Sequence, residues 1–192
     1  MRDLALDKYG PVTKELMARA RQELRPQKLT WGAEVQDVRA TLQGLSDATI
    51  SPNKNVRMPQ DAQCLHAALW LLFDFFKESH AIAQQVATPS GSYWHAIQHR
   101  RESDPANARY WFSRVGDHPI FPELMLDAKE LAGPAPHVGV VELVASDRWD
   151  PDVFVKLCTT ASDSVATQVL LSIQRREWEL LFEQNYGKAF AR

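Results

Sequence analysis

The segment CLHAALWLLFDFF, at positions 64–76, is apolar on nearly every side, and only His66 and Asp74 interrupt it. With 13 residues it is too short to cross a bilayer as a helix. A helix that is apolar all round is buried among the other elements of a domain. Because a proline and an aspartate suited to a helix start precede the segment, the sequence predicts a central helix over about 59–86.

Helical patterns account for most of the remaining chain, since apolar residues recur at intervals of three and four between prolines, glycines and capping side chains. The run Val138–Val144 has the composition of a strand but stands alone, and 46–58 is predicted to be a polar loop. The 192 residues therefore predict a single all-α domain, 1–192, a helical bundle around the 59–86 helix. The other predicted helices cover about 11–24, 32–45 after a Thr30 cap, 92–102, 105–115, 121–133, a segment from Asp150, and 164–184.

The dipeptide at 104–105, Asp-Pro, is the clearest local boundary. The residue before a proline disfavours helix, aspartate is a good N-cap, and proline suits the first helical position. We therefore expect a helix over 92–102, capped by Ser90 or Ser92, then a tight turn and a second helix over 105–115.

Composition limits the partners and the compartment. The formal net charge of −2 and the pI near 6.3 disfavour general attraction to nucleic acid or to an anionic membrane. The first residues lack the apolar stretch of a signal peptide, so a cytoplasmic location is expected. Cys64 and Cys158 lie in apolar runs and are predicted to be buried thiols. The oligomeric state stays open.

The segment SYWHAIQHRRESDPANARYWFSRVGDHP, at 92–119, holds three of the six histidines of the chain. On a helical wheel its first helix has an aromatic core stripe formed by Tyr93, Trp94 and Ile97. The opposite side carries polar residues at i, i+3, i+4 and i+7, namely His95, Gln98, His99 and Glu102.

One hypothesis for this polar face is a divalent metal site of the zinc or iron type. His95 and His99 have the i, i+4 spacing with which two histidines of one helix bind a single ion. Glu102, one turn later, can complete or orient such a site. A third histidine would come from elsewhere in the chain, with His80 as the main candidate and His66 and His118 as others.

The leading hypothesis is a pocket for a small molecule or an anion, with catalysis an open question. Guanidinium groups bind phosphate and carboxylate bidentately, and His95 or His99 would transfer protons near neutral pH. The predicted ligand-binding residues are Arg100, Arg101, Asn107, Tyr110, Arg114 and His118.

A third hypothesis is an interaction scaffold without a site, in which the same arginines pair with Glu78 or Glu102 and tie the helices together. The three hypotheses differ in geometry. A metal site requires His95 and His99 to face a third ligand, an anion pocket requires converging arginines with unpaired donors, and a scaffold requires paired arginines and solvated histidines.

Polar residues elsewhere have simpler interpretations. His66 and Asp74 are predicted to form a buried hydrogen-bonded pair, His137 to face solvent, and the stretch QRREWE at 174–179 to be a solvated face with Trp178 packed inward. The chain has no G-x-S-x-G, P-loop, G-x-G-x-x-G or H-E-x-x-H motif, so no common catalytic class is indicated.

The run GSYWHAIQHRRESDPANARYWFSRVGDHPIF resembles the signature of a group of uncharacterised, mainly bacterial proteins, over about 30 residues of the chain. This resemblance implies no activity or cofactor. His95, His99 and Arg100 also resemble the H-x-x-x-H-R-x-Q metal motif of DinB-like four-helix bundles, which implies a metal site. Here Glu102 stands in place of the final glutamine, and the helix lies in the middle of the chain. The second helix is similar to tetratricopeptide or Sel1-like helices, but has no second copy.

Overall fold

A computed structural model describes residues 6–52, 55–134 and 136–190 of the chain. These ranges contain eleven α-helices, two short 3-10 helices (Leu6–Lys8 and Gln36–Val38) and no strand, which confirms the predicted all-α fold. The α-helices are α1 (Pro11–Gln22), α2 (Arg39–Gln43), α3 (Asp47–Ile50), α4 (Pro59–Leu72), α5 (Phe76–Ala83), α6 (Pro89–Arg101), α7 (Pro105–Ser113), α8 (Phe121–Ala132), α9 (Val138–Val144), α10 (Pro151–Thr160) and α11 (Ser164–Phe190).

Helices α4 and α11 form the centre of the bundle. α4 packs against α5, α6 and α11, and α11 also contacts α8, α9 and α10. The Trp178 indole of α11 donates a hydrogen bond to the Ala68 carbonyl of α4 at 3.2 Å. Within the described ranges, no helix is both long and apolar enough to cross a membrane.

The central helix is not continuous over 59–86, as the sequence analysis expected. The chain breaks at Asp74, whose φ of 65° lies in the left-handed region that aspartate tolerates better than most residues. The Asp74 carboxylate accepts hydrogen bonds from Arg25 at 3.0 Å, Arg101 at 2.6 Å and the Gly32 amide at 3.1 Å. These partners stabilise the break, and the break redirects the chain into α5.

The predicted pair of His66 with Asp74 is wrong for the same reason. With Asp74 bound to two arginines, the His66 ring instead lies 2.9 Å from an oxygen of Asp47, at the start of α3. That helix lies inside the predicted 46–58 loop, and a capping box between Ser46 and Thr49 begins it.

The helix predicted over 32–45 begins later than expected. The backbone amides of Trp31 and Val35 donate to the carbonyls of Arg101 and Phe73, at 3.0 and 3.2 Å. Because these amides bind other parts of the chain, the segment stays extended, and helix appears only from Gln36. Thr30 therefore caps no helix.

The predicted strand at Val138–Val144 is also wrong, since this run forms α9. His137 accepts a hydrogen bond from the Gly139 amide at 3.2 Å and acts as the N-cap, rather than simply facing solvent. Val140, Leu143 and Val144 are buried at helical spacing. Tertiary packing of this stripe outweighs the strand preference of β-branched residues.

The boundary between α6 and α7 is confirmed, with the Asp104 side chain accepting a hydrogen bond from the Asn107 amide at 3.1 Å. The N-cap of α6 is Thr88, not Ser90 or Ser92, because the Gly91 amide donates to the Thr88 hydroxyl at 3.1 Å. Both cysteines are free and buried, as predicted.

Candidate metal centre

The break at Asp74 directs α5 so that His80 meets His95 and His99 of α6. Each of the three histidines offers a ring nitrogen, and these nitrogens all lie within 4.8 Å of one another. The Nε2 atoms of His80 and His95 are 2.9 Å apart. The cluster thus brings together the two histidines of α6 and the main candidate for the third that the sequence analysis named, and their role as metal ligands stays a prediction.

Ring-to-ring contacts, both stacked and edge-to-face, hold the three histidines of the cluster in place. His95 is stacked on Trp111 of α7, with ring centroids 4.0 Å apart and an interplanar angle of 29°. His99 lies 4.7 Å from His95 at 27°, and His80 is perpendicular to His95 at 4.5 Å. The tight turn at Asp104 thus places Trp111 over the cluster, a role its apolar pattern alone did not reveal.

Glu102 orients one of the histidines. Its carboxylate lies 3.1 Å from Nδ1 of His99, so the Nδ1–H of His99 donates to it, and a neutral His99 ring then has its lone pair on Nε2. The cluster that could hold an ion consists of the three histidines, and Glu102 supports His99 rather than joining them. This arrangement of a carboxylate behind an imidazole is common among metal-binding histidines.

The electrostatics favour neutral rings. Burial, with the neighbouring His80 and His99, lowers the pKa of His95 to about 4. Burial, followed by the charge of His99, also lowers the pKa of His80. Metal binding needs neutral imidazole, so the rings of His80 and His95 are in the required state at pH 7.

The spacing is compatible with a tetrahedral ion. With metal–nitrogen bonds of about 2.1 Å, two ligand nitrogens would lie about 3.4 Å apart. The observed range, from the 2.9 Å between His80 and His95 to the 4.8 Å limit, brackets that value.

The arginines do not form the predicted anion pocket. Arg100 is 1 % exposed and forms a bidentate pair with Glu177 of α11, and the Tyr93 hydroxyl donates to the same carboxylate at 3.1 Å. The guanidinium also lies 4.5 Å from the centroid of Phe154. The 174–179 stretch is therefore not the expected solvated face, although Trp178 does pack inward.

Arg101 is likewise paired. Its guanidinium binds the Asp74 carboxylate and the carbonyls of Leu71 and Thr30, and it lies 5.0 Å from the centroid of Phe76. The carboxylate partners are Glu177 and Asp74, not the Glu78 or Glu102 that sequence separation suggested. Among the guanidinium nitrogens of Arg100 and Arg101, only the two Nε atoms are buried without a hydrogen-bond partner in the described part of the chain.

The predicted ligand residues on and just after α7 lie apart from the buried arginines. Asn107 takes part in the Asp104 cap, and Arg114 donates to the Tyr110 hydroxyl at 3.3 Å on the exposed surface of α7. These side chains do not converge with the buried arginines, because α7 turns its polar edge to solvent and the arginines point into the core.

His118 is buried and structural. Its Nε2 lies 3.2 Å from the Ser90 hydroxyl, and its Nδ1 accepts from the Ile120 amide at 3.5 Å. The amide contact places the ring proton on Nε2, so His118 donates to Ser90 instead of taking its proton. The two residues therefore do not form a nucleophile and base. Burial, and secondarily the charge of Lys188, lowers the pKa of His118 to about 4.

Sequence reasoning missed three residues around the cluster: Trp31, Lys77 and Trp111. The apolar spacing around Trp111 predicts only a core contact, and the other two lie in segments that carry no motif. No protein-family model, curated protein or solved structure matches the chain. The geometry of the cluster is therefore the basis for the functional proposal.

Proposed function

We propose that the chain is a metal-dependent protein that binds one zinc- or iron-type dication through His80, His95 and His99. The observation that carries this proposal is the approach of three ring nitrogens to within 4.8 Å of one another. Three protein ligands and a position left for water or substrate are typical of catalytic zinc sites. Such an ion supplies a Lewis acid and lowers the pKa of a bound water.

The residues around the ion have different roles in this proposal. His95 and His99 bind the ion rather than transfer protons, and Glu102 holds His99 in the tautomer that presents Nε2. Trp111 closes the cluster on the side of His95. His80 is half-buried and opens to a surface groove, so a substrate would approach the ion from its side. Hydrolysis and oxygen-dependent oxidation are the reactions to assay first.

The test is the metal content of the full chain, produced without a histidine tag. We expect about one zinc, iron, manganese or nickel ion per chain, bound in wild type and lost in His95→Ala and in His99→Ala. His66→Ala is the matched control, because His66 is a histidine outside the cluster. Wild-type protein that binds none of these ions, even when they are supplied in excess, would refute the proposal.

A scaffold without a site is the second candidate, and one observation favours it. The 2.9 Å contact between His80 and His95 is also a normal hydrogen bond between neutral rings. In that case the double variant His95→Ala/His99→Ala would lose stability but change no metal content. The cytoplasmic location stays a prediction.

A further inference from the structure

The cluster opens to a groove of about 430 Å³ on the protein surface. His80 belongs both to the cluster and to the wall of this groove, so a molecule in the groove can reach an ion held by His80. The groove is lined by Trp31, Phe76, Lys77, His80, Ala81, Gln84 and Glu102.

The charges of the groove favour an anion. Glu102, its only acidic residue, accepts a hydrogen bond from Nδ1–H of His99, and its charge is opposed by that of Lys77. Lys77 is exposed, and no residue in the described ranges pairs with it. It lies in the first turn of α5, where the helix dipole disfavours a cation. With a dication bound at the histidines, the ion and Lys77 would outweigh the single negative charge of Glu102, so the groove would carry a net positive charge.

Trp31 gives the groove a flat apolar wall. It is 54 % exposed, yet its amide is bound to the Arg101 carbonyl, and the next amide, that of Gly32, is bound to Asp74. Its ring meets Phe76 edge to face at 5.2 Å. The backbone on both sides of this exposed aromatic ring is therefore fixed, as a binding surface requires.

We propose that the groove binds a small organic oxyanion, a carboxylate or a phosphate ester, with a planar apolar body. The oxyanion would lie between Lys77 and the ion at His80, and the planar body would lie against Trp31. This inference rests on the proposed metal site. It places anion recognition at Lys77 and not at the buried arginines.

The experiment uses full-length protein loaded with Co²⁺, whose visible absorption reports both metal binding and a new ligand on the metal. The probes are benzoate, phenyl phosphate and the neutral analogue benzamide. We expect benzoate or phenyl phosphate to change the spectrum and to bind at least about tenfold more tightly than benzamide. The better of the two anions identifies the oxyanion class.

Variants separate the two recognition elements. Lys77→Met should weaken anion binding about tenfold, and Lys77→Arg should retain it within about threefold. Trp31→Ala should weaken benzoate more than acetate, which lacks the planar body. Lys77 and Trp31 are themselves exposed, so the fold should survive these substitutions.

The outcomes distinguish this inference from the metal proposal. Co²⁺ binding without any response to the anions, or with equal affinity for benzoate and benzamide, overturns the groove assignment and leaves the metal site standing. Equal affinities in wild type and Lys77→Met overturn it as well. A chain that binds no Co²⁺ overturns both proposals.

Discussion

Helix α6 buries two polar regions that differ in how their charges and protons are satisfied. Arg100 and Arg101 each meet a buried carboxylate from a distant part of the chain. His95 and His99 instead meet each other and His80, with a single carboxylate, that of Glu102, at their edge. The two regions are adjacent in sequence and both are buried, yet only in the arginine region does each side chain have a carboxylate of its own. In this sense we call the arginine region complete and the histidine region incomplete.

The two regions differ because the histidine cluster leaves some of its N–H donors and lone pairs without partners. Three neutral imidazoles carry three N–H donors and three lone pairs. One donor goes to Glu102, and one donor and one lone pair are shared between His80 and His95. The His95 Nδ1 is buried without a hydrogen-bond partner in the described ranges. Because lone pairs on the ring nitrogens remain unused, the cluster suits a metal ion, which is bound through such lone pairs.

The largest effect should come from breaking the complete region. Glu177→Leu leaves Arg100 buried without a counter-charge, and we expect it to lower the free energy of unfolding by about 3–5 kcal/mol. Denaturant unfolding with urea measures this loss. The double variant Arg100→Met/Glu177→Leu should recover most of it, because an apolar pair replaces the ion pair. A single-variant loss below about 1 kcal/mol would contradict the account.

The second effect concerns His118, a histidine whose ring partners are satisfied. Its folded pKa of about 4 lies below the ordinary value of 6.5, so the unfolded state binds more protons at acid pH. The contribution of His118 to the free energy of unfolding is therefore fully present above pH 6.5 and is lost as the pH drops toward 4. Between pH 7 and pH 4, His118→Gln should lose about 3 kcal/mol less than wild type.

Urea unfolding of both proteins at a series of pH values checks this expectation. Absolute stability at pH 7 is expected to be lower in the variant, since the contacts with Ser90 and the Ile120 amide are lost. The informative quantity is the slope of the free energy of unfolding against pH. Parallel curves for the two proteins would show that His118 does not contribute to acid destabilisation.

The third effect is on the incomplete region. Glu102→Gln removes the charge that orients His99, and we expect zinc affinity to fall about 10- to 100-fold. Competition with a chelating dye measures the affinity. Glu78→Gln is the matched control, because Glu78 binds Arg39 and not a histidine. Equal zinc affinities in Glu102→Gln and wild type would separate Glu102 from the site.

The smallest effect is expected in the rate of thiol labelling, which reports local opening of the protein beside the Arg100–Glu177 ion pair. Burial raises the pKa of the Cys158 thiol to about 12, with Arg100 and Glu177 as its charged neighbours. A thiol reagent should therefore label Cys158 only when the protein opens. Labelling should be faster in Glu177→Leu than in wild type, whereas rapid labelling of the wild type would show that this region is not closed.

Local signals predicted much of the helix pattern and the placing of His95 and His99 on one helix face. The dipeptide at 104–105 fixed a boundary because its physics is contained in two residues. The i, i+4 pair His95 and His99 was visible because both lie on one helix. The strand expectation for Val138–Val144 failed because packing of a buried stripe outweighed residue preference.

The rest depends on contacts between distant parts of the chain. Arg100 and Arg101 looked like free cations because their partners, Glu177 and Asp74, are 77 and 27 residues away. The position of His80 depended on a break at Asp74 that no proline or glycine marks. Periodicity cannot detect either feature, because both are decided by tertiary hydrogen bonds.

The left-handed turn at Asp74 also sets a criterion for recognising related chains. One residue inserted between positions 74 and 80 would turn His80 by about 100° around α5, away from α6. The H-x-x-x-H pair alone is therefore a poor marker of the site. The intervals D-x5-H-x14-H-x3-H-x2-E, from Asp74 to Glu102, describe it fully. Sequences that keep the aromatic signature and lose these intervals should share the bundle without the histidine cluster.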